Sequence, residues 1–312
     1  MVISPINNPI FLLMPLLHYF SHPTVYDMKK ILFLLFIHLF YFGKSQMLGQ
    51  SGWTRNKGGV YAKAGFYTLN GSNYYNTDGV KSTTRDFHQQ ALTFYGEYGL
   101  TKNITTILNF PYLKWQGYAN DKRATGLGNP QIELKFALLR KVPISLTVGA
   151  ELPFAKQTNY SVAREPDAFG VVNRINLPAG YPDLNYWGTL AASSGFWHGM
   201  GWFSVYGQYI VRGKDFNNQA KLGLELGYKW TPKFWTNTRL VGWYQAQEKK
   251  GTNASIVNGQ GTEYTSLGIG AAYEIIKHWS ITLDYQTANN LLVRPKNIQG
   301  AALIQVGVSA EF

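Results

Sequence analysis

Apolar and polar residues alternate with a period of two along most of the chain after Gln46, and helical periodicity is nearly absent there. Ile132, Leu134, Phe136 and Leu138 fall on one face, with Gln131, Glu133, Lys135 and Ala137 on the other. Ile144, Leu146, Val148, Ala150 and Leu152 oppose Ser145, Thr147, Gly149 and Glu151 in the same way. Leu222, Leu224, Leu226, Tyr228 and Trp230 oppose Lys221, Glu225 and Lys229. The pattern predicts strands near 58–69, 86–99, 104–116, 129–140, 143–153, 184–193, 201–212, 218–230, 234–248, 262–275, 279–287 and 301–312. Most run to ten residues or more, against roughly five or six in soluble sheets.

Away from the strand ends, the apolar face carries no charge. The opposite face holds Lys63, Glu97, Glu133, Lys135, Glu151, Lys221, Glu225, Lys229, Arg239, Glu274, Asp284 and Glu311. A Lys or Arg facing lipid at mid-depth costs about 2–4 kcal/mol, so this split is what a membrane-spanning barrel demands. The expected fold is an all-β, transmembrane antiparallel barrel of twelve strands, with ten or fourteen as the alternatives. Connections alternate in length. Short links fall near Lys102-Asn103, Lys141-Val142, Gly195–Gly199, Thr231-Pro232-Lys233 and Ile276-Lys277. Long ones fall near 70–85, 117–128, 154–183, 249–261 and 288–300, with one short exception near Gly213. Short periplasmic turns and long external loops are the outer-membrane pattern, and both termini then lie on the periplasmic side.

Composition sharpens the picture. The 9 Trp, 21 Tyr and 18 Phe sit in a chain whose mean hydropathy is −0.17. Amphipathic rings favour the membrane–water interface, and many flank the short links: Phe196, Trp197 and Trp202; Tyr228, Trp230, Phe234 and Trp235; Tyr273 and Trp279. They are expected to form girdles at the rims. The absence of Cys excludes disulfide scaffolds, thiolate metal sites and a Cys nucleophile. Beyond the N-terminal region no apolar run is long enough for a transmembrane helix.

Met28-Lys29-Lys30, the apolar run Ile31–Phe42 and Gly43-Lys44-Ser45 have the form of a secretory signal peptide cleaved before Gln46. Residues 1–45 are therefore read as leader, 28–45 as the signal and 1–27 as sequence upstream of a second start. Residues 46–57 form a short periplasmic N-terminal segment and 58–312 the barrel. The last strand alternates Ala302, Ile304, Val306, Val308 and Ala310, and ends on Phe312. It resembles the C-terminal assembly signal of Gram-negative outer-membrane barrels. That implies the barrel assembly machinery, outer-membrane lipids and lipopolysaccharide as partners.

The stretch Thr125-Gly126-Leu127-Gly128-Asn129-Pro130 precedes a strand and lacks the third glycine of a dinucleotide loop. It resembles the Thr-Gly-Leu-Gly-Asp-Pro segment of the phenol meta-pathway family of outer-membrane barrels, with Asn129 where Asp is common. The likeness extends over about 125–153. It implies passage of small compounds, often aromatic or hydrophobic. The glycines have an equally good purely structural use, turning the chain into the next strand. Long-chain fatty-acid transporters, similar to this family, place a globular plug before the first strand. Here only Gln46–Lys57 is available. No such plug fits, although a segment this short can enter the lumen and narrow it.

The polar-face charges divide into seven acidic and five basic residues. Near balance points to ion pairs across a narrow lumen, whereas a strongly selective ion channel would show one sign. Loss of Lys29, Lys30, Lys44 and Asp27 with the leader lowers the net charge from +12 to +10, most of which sits in loops and turns such as Lys122-Arg123, Arg140-Lys141 and Lys249-Lys250. With no reader motif, anionic lipid head groups are nearer partners than nucleic acid. His198 and His278 fall in short turns, and His88 has no Ser and orienting group beside it to form a catalytic trio. No catalytic residue, metal or cofactor is expected. The long segment 154–183, with Phe154, Tyr160, Phe169 and Tyr181, is expected to form an external cap or binding loop. The expected function is an outer-membrane channel for small, hydrophobic or aromatic solutes. The alternative is a structural or surface-interaction barrel without an open pore; a barrel enzyme ranks below both. Solute and oligomeric state stay open.

Overall fold

The computed structural model describes residues 50–213, 216–247 and 261–312. Twelve long strands close into one antiparallel barrel. They are β1 (Val60–Tyr75), β2 (Lys81–Thr101), β3 (Ile104–Tyr118), β6 (Gln131–Leu139), β7 (Ile144–Glu151), β10 (Asn185–Phe196), β11 (Gly201–Val211), β12 (Asn218–Thr231), β13 (Phe234–Gln247), β14 (Tyr264–Ile276), β15 (Trp279–Asn289) and β16 (Ile298–Glu311). Each pairs with the next, and β1 pairs with β16 to close the ring. Closure leaves no free sheet edge, a requirement in lipid, where an unpaired backbone group costs several kcal/mol. Four short strands lie in the loops: β4 (Asp121–Lys122), β5 (Ala124–Leu127), β8 (Tyr160–Ala163) and β9 (Arg174–Asn176). β5 extends the wall along β3, while β4, β8 and β9 make a separate small sheet.

The barrel is inside-out relative to a soluble sheet. On β12, Leu224 is 45% exposed whereas its neighbour Glu225 is 7% exposed. Large apolar side chains such as Phe94, Leu134, Val148, Ile281 and Val306 cover the outside, and Lys63, Glu97, Lys135, Thr147 and Ser204 are buried within. The pleat enforces this separation, since successive side chains point to opposite faces.

Local chemistry sets the irregularities. Pro111 cannot donate to a ladder, and it lies where the β2–β3 register shifts between Leu92 and Phe94, a bulge that accommodates it. At the short-turn end, Lys277 and His278 join β14 to β15, with His278 at φ 74°. Phe312 stacks on His278 at 5.3 Å, and its backbone exchanges two 2.9 Å hydrogen bonds with Val60. The terminal aromatic therefore helps close the β1–β16 seam.

Two loop expectations need correction. The first hairpin turns at 76–80, because β1 and β2 continue pairing through polar residues on either side. The Asn76 side chain accepts from the Asp78 and Val80 N–H groups and fixes that turn. Segments 117–128 and 154–183 contain the short loop strands; an apolar cluster of Phe87, Tyr118, Ala124 and Leu177 packs beneath them. Most of the expected 249–261 loop lies outside the described residues.

Candidate functional site in the barrel lumen

Residues 50–57 run across the short-turn end of the lumen as a strap. Gly52 N–H donates to Ser193 Oγ at 2.7 Å, and Ser145 Oγ donates to the Ser51 carbonyl at 2.8 Å. Arg55 N–H donates to Thr105 Oγ1 at 2.8 Å, and Lys135 Nζ reaches the Trp53 carbonyl at 3.4 Å. These partners lie on β10, β7, β3 and β6, so the strap spans a third of the wall. Gly52 is required by the closeness of approach: a Cβ there would stand 1.9 Å from the Pro143 carbonyl oxygen. The Arg55 guanidinium joins Glu97 at 2.6 Å and also binds Glu311, clamping the strap to β2 and β16.

Above the strap the wall charges pair. Asp284 holds Lys63 Nζ at 2.8 Å and Arg239 Nη2 at 2.8 Å, while Arg239 Nε lies 3.5 Å from Glu225. Glu225 also accepts from the Trp202 indole N–H at 3.2 Å. Room for the Arg239–Asp284 pair, which bridges across β14, comes from Gly270; a Cβ there would stand 2.7 Å from Asp284 Oδ1. Lumenal rings rest on glycines of neighbouring strands. A Cβ on Gly227 would fall 2.0 Å from the Trp202 ring, and one on Gly149 2.5 Å from Trp187.

Further toward the long loops, two cavities of about 130 and 410 Å³ meet at Gln50, Lys221 and Trp243. Glu133, Glu151 and Trp187 line the smaller. Lys221 Nζ sits 3.7 Å above the Trp243 ring, whose other neighbour is the stacked Tyr264. Glu151 is bound by Asn129 at 2.8 Å and Asn185 at 3.5 Å. Asn129 also donates to the Tyr181 carbonyl and accepts from the Ala155 N–H, tying both ends of the long loop to the wall. An Asp could not make the two donations, so Asn129 has a definite use here. Gly128 lies against the bulge, where a Cβ would stand 2.3 Å from the Pro111 carbonyl oxygen. The glycine motif thus builds the junction of wall and cap.

The twelve charged residues of the polar face therefore occupy different levels. Lys63, Glu225, Arg239 and Asp284 form one network; Glu97 and Glu311 meet at Arg55; Glu133, Glu151 and Lys221 line the smaller cavity. Lys135 touches the strap. Lys229 is exposed beside the short-turn rim, and Glu274 lies in the same end region, its N–H bonded to the Lys233 carbonyl. Of the four loop aromatics, Tyr181 lines the smaller cavity, with its ring between Phe216 and Arg212. Burial of that ring raises the Tyr181 pKa. Phe154, Tyr160 and Phe169 face outward, Phe169 being 89% exposed. Trp197, Tyr228 and Trp230 pack edge to face at the rim, but Trp202 and Trp235 turn inward, unlike the girdle expected for them. Arg55, Trp187 and Trp243 were absent from the expected site. The two tryptophans could have been found by continuing the strand parity from Thr189 and Arg239; Arg55 precedes the strands and had no such signal.

No family model and no curated protein matches the sequence. The fold is similar to that of an outer-membrane channel from Pseudomonas putida F1, at 15% identity and a TM-score of 0.55, over 86% of this chain and all of that one. It is also similar to the translocator domain of the autotransporter NalP from Neisseria meningitidis, at 13% identity and a TM-score of 0.50, over 84% of this chain and 91% of that one. The chain has the fold of an outer-membrane β-barrel.

Proposed function

We propose that the protein is an outer-membrane channel through which small solutes, hydrophobic or aromatic ones among them, pass. The observation that carries this reading is the pair of adjoining cavities inside the lumen, lined by Trp187, Trp243 and Tyr181 together with polar side chains. A merely structural barrel has no need of such space, since side chains can fill a lumen of this size. The aromatic lining and the resemblance at 125–130 support aromatic solutes. The apolar outer surface suits the hydrocarbon layer, and outer-membrane lipids and lipopolysaccharide are its proposed surroundings. Planar-bilayer conductance and liposome swelling with a graded set of solutes test the proposal. Ionic conductance with faster entry of small aromatic compounds than of sugars of equal size is expected.

The second reading, a barrel without an open path, draws on the strap. Residues 50–57 are seated across the short-turn end, and Glu225, Arg239 and Asp284 of the ion-pair network form part of the wall of the larger cavity beside them. A variant lacking 50–57 separates the readings. If it folds yet passes nothing in either assay, the channel reading fails. Deleting 156–180 tests the loop: unchanged uptake by a folded barrel would show that the cap does not take part.

A further inference from the structure

We infer that the smaller lumenal cavity is a binding site for a small zwitterion, of the α-amino-acid type, held between Glu133 and Lys221. The inference deepens the channel reading by naming a ligand class for its lumen, and rests on that reading for its biological use.

The charges around this cavity are unequal in their satisfaction. Glu151 is bonded to two asparagine amides, and Arg212 is stacked over Tyr181 and Phe216 at 4.4 and 4.6 Å. Glu133 and Lys221 differ: among the described residues neither has an oppositely charged partner within 4.0 Å. Both nevertheless face the same space, from β6 and β12, four strands apart around the wall. Lys221 Nζ lies over the face of Trp243, and among the described residues its N–H donors make no hydrogen bond. Glu133 is 9% exposed and faces the Trp187 indole, whose N–H forms no hydrogen bond of ordinary geometry. Gln208, 5% exposed and lining the same cavity, leaves its Oε1 without a donor while its amide nitrogen binds Thr189.

Buried charges that lack a close ion pair are expensive even where, like Glu133 and Lys221, they feel opposite charges at a distance, and a ligand that bridges them recovers part of that cost. A simple anion would meet Lys221 but be repelled by Glu133; a simple cation would meet the reverse. One molecule with both signs satisfies the two groups together and adds no net charge. Its ammonium would face Glu133 and the free Gln208 oxygen, and its carboxylate would face Lys221. The volume of about 130 Å³ is near the ~150 Å³ that admits a benzene molecule, so this cavity takes the charged end of the amino acid while its side chain extends past Lys221 and Trp243 into the adjoining cavity of about 410 Å³.

The test is calorimetric titration of the detergent-solubilised barrel with phenylalanine, 3-phenylpropionate, phenethylamine and toluene. This reads binding whether or not anything passes through. Phenylalanine should bind more tightly than each of the other three, by about tenfold or more, a step of ~1.4 kcal/mol. Glu133→Gln and Lys221→Met should each weaken phenylalanine by at least that factor. They should also have opposite effects on the half-ligands: Glu133→Gln improves phenylpropionate, and Lys221→Met improves phenethylamine. Folding of each variant is checked by the heat-dependent mobility of the barrel. Equal binding of all four compounds, or no binding by a folded protein, overturns the site. Failure of the channel reading appears separately, as a barrel that binds phenylalanine but neither conducts nor swells liposomes.

Discussion

Replacing Arg55 by Met should release the strap, and the structure sets the size of the effect. Met keeps part of the aliphatic stem but removes the bonded cation from two carboxylates, of which Glu97 keeps the Tyr95 hydroxyl as a donor. The Glu97 side chain is 4% exposed, so this is the breaking of a buried pair, worth about 3–5 kcal/mol. Glu311 is 31% exposed, and its share is screened to about 0–1 kcal/mol. The other strap bonds, to Ser193, Thr105, Ser145 and Lys135, supply ~1 kcal/mol each. Losing the clamp therefore removes about half of what holds the strap, and raises its open population by roughly two to four orders of magnitude. Because the chain has no Cys, Ser51→Cys makes a clean reporter: Ser51 is 1% exposed, and its bond to Ser145 uses the backbone carbonyl, which the substitution keeps. Thiol labelling from the short-turn side should be slow in the reporter alone and at least about a hundredfold faster with Arg55→Met, with conductance rising in parallel. Adding Glu97→Gln removes the stranded charge and should return labelling to within about tenfold of the starting rate, because neutralising both partners is far less costly than removing one. If Arg55→Met labels no faster, or the double variant labels as fast as the single, charge is not what seats the strap.

Asn129→Asp should free the Tyr181 end of the long loop, while Asp still accepts from the Ala155 N–H. It loses two donated hydrogen bonds and sets a second carboxylate beside Glu151, costing about 2–4 kcal/mol of attachment. Limited proteolysis should then cut within 155–180 while the barrel stays resistant; unchanged cleavage would count against the anchoring role. Leu224→Arg should lower the barrel's unfolding free energy in lipid by about 2–4 kcal/mol, whereas Leu224→Phe should be nearly neutral. Equal effects would place Leu224 away from the hydrocarbon. At the loop tip, the Phe169 and Val171 N–H groups donate to Asp167, which holds its carboxyl below the ordinary value of 3.8. A lowered folded-state pKa means the turn is stabilised above about pH 3.8 and loses that support as pH falls through the lower value. Amide exchange at Phe169 and Val171 should accelerate at that point, and Asp167→Asn should abolish the transition.

The wall was legible because lipid imposes a strict rule. A pleated strand with lipid on one side cannot change parity without exposing a charge, so the phase of Leu222, Leu224 and Leu226 settles where Lys221 and Glu225 point. The rule lapses beyond the hydrocarbon. There β1 and β2 go on pairing through Asn73, Tyr74, Ser82 and Thr83, residues that show no apolar phase. β4, β8 and β9, of two to four residues, are too short to show a period at all. Residue type misled at the rim, where Trp202 and Trp235 sit beside turns like girdle residues but have lumenal parity. Arg55 was hidden because its partners, Glu97 and Glu311, come together only when the β1–β16 seam closes.

Near balance of lumenal charge does not by itself decide whether a lumen is filled; the spacing of the opposite signs around the wall does. Adjacent strands lie about 4.8 Å apart, so side chains on neighbouring or next-neighbouring strands can meet. Glu225 and Arg239 are cross-strand partners, and Arg239 and Lys63 each reach Asp284 from two strands away. At the strap's level Arg55 supplies the missing cation from the middle of the mouth, reaching two carboxylates from a segment that belongs to neither strand. Glu133 and Lys221 form no ion pair within 4.0 Å among the described residues, although Lys135 acts on Glu133 and Glu151 on Lys221 through space. Four strands apart, they are separated along the wall by about 19 Å, more than two side chains can span on that path. The pairing that closes the lower lumen therefore cannot extend upward by the same means, and the space between these two residues is where a bound solute would change the electrostatics most.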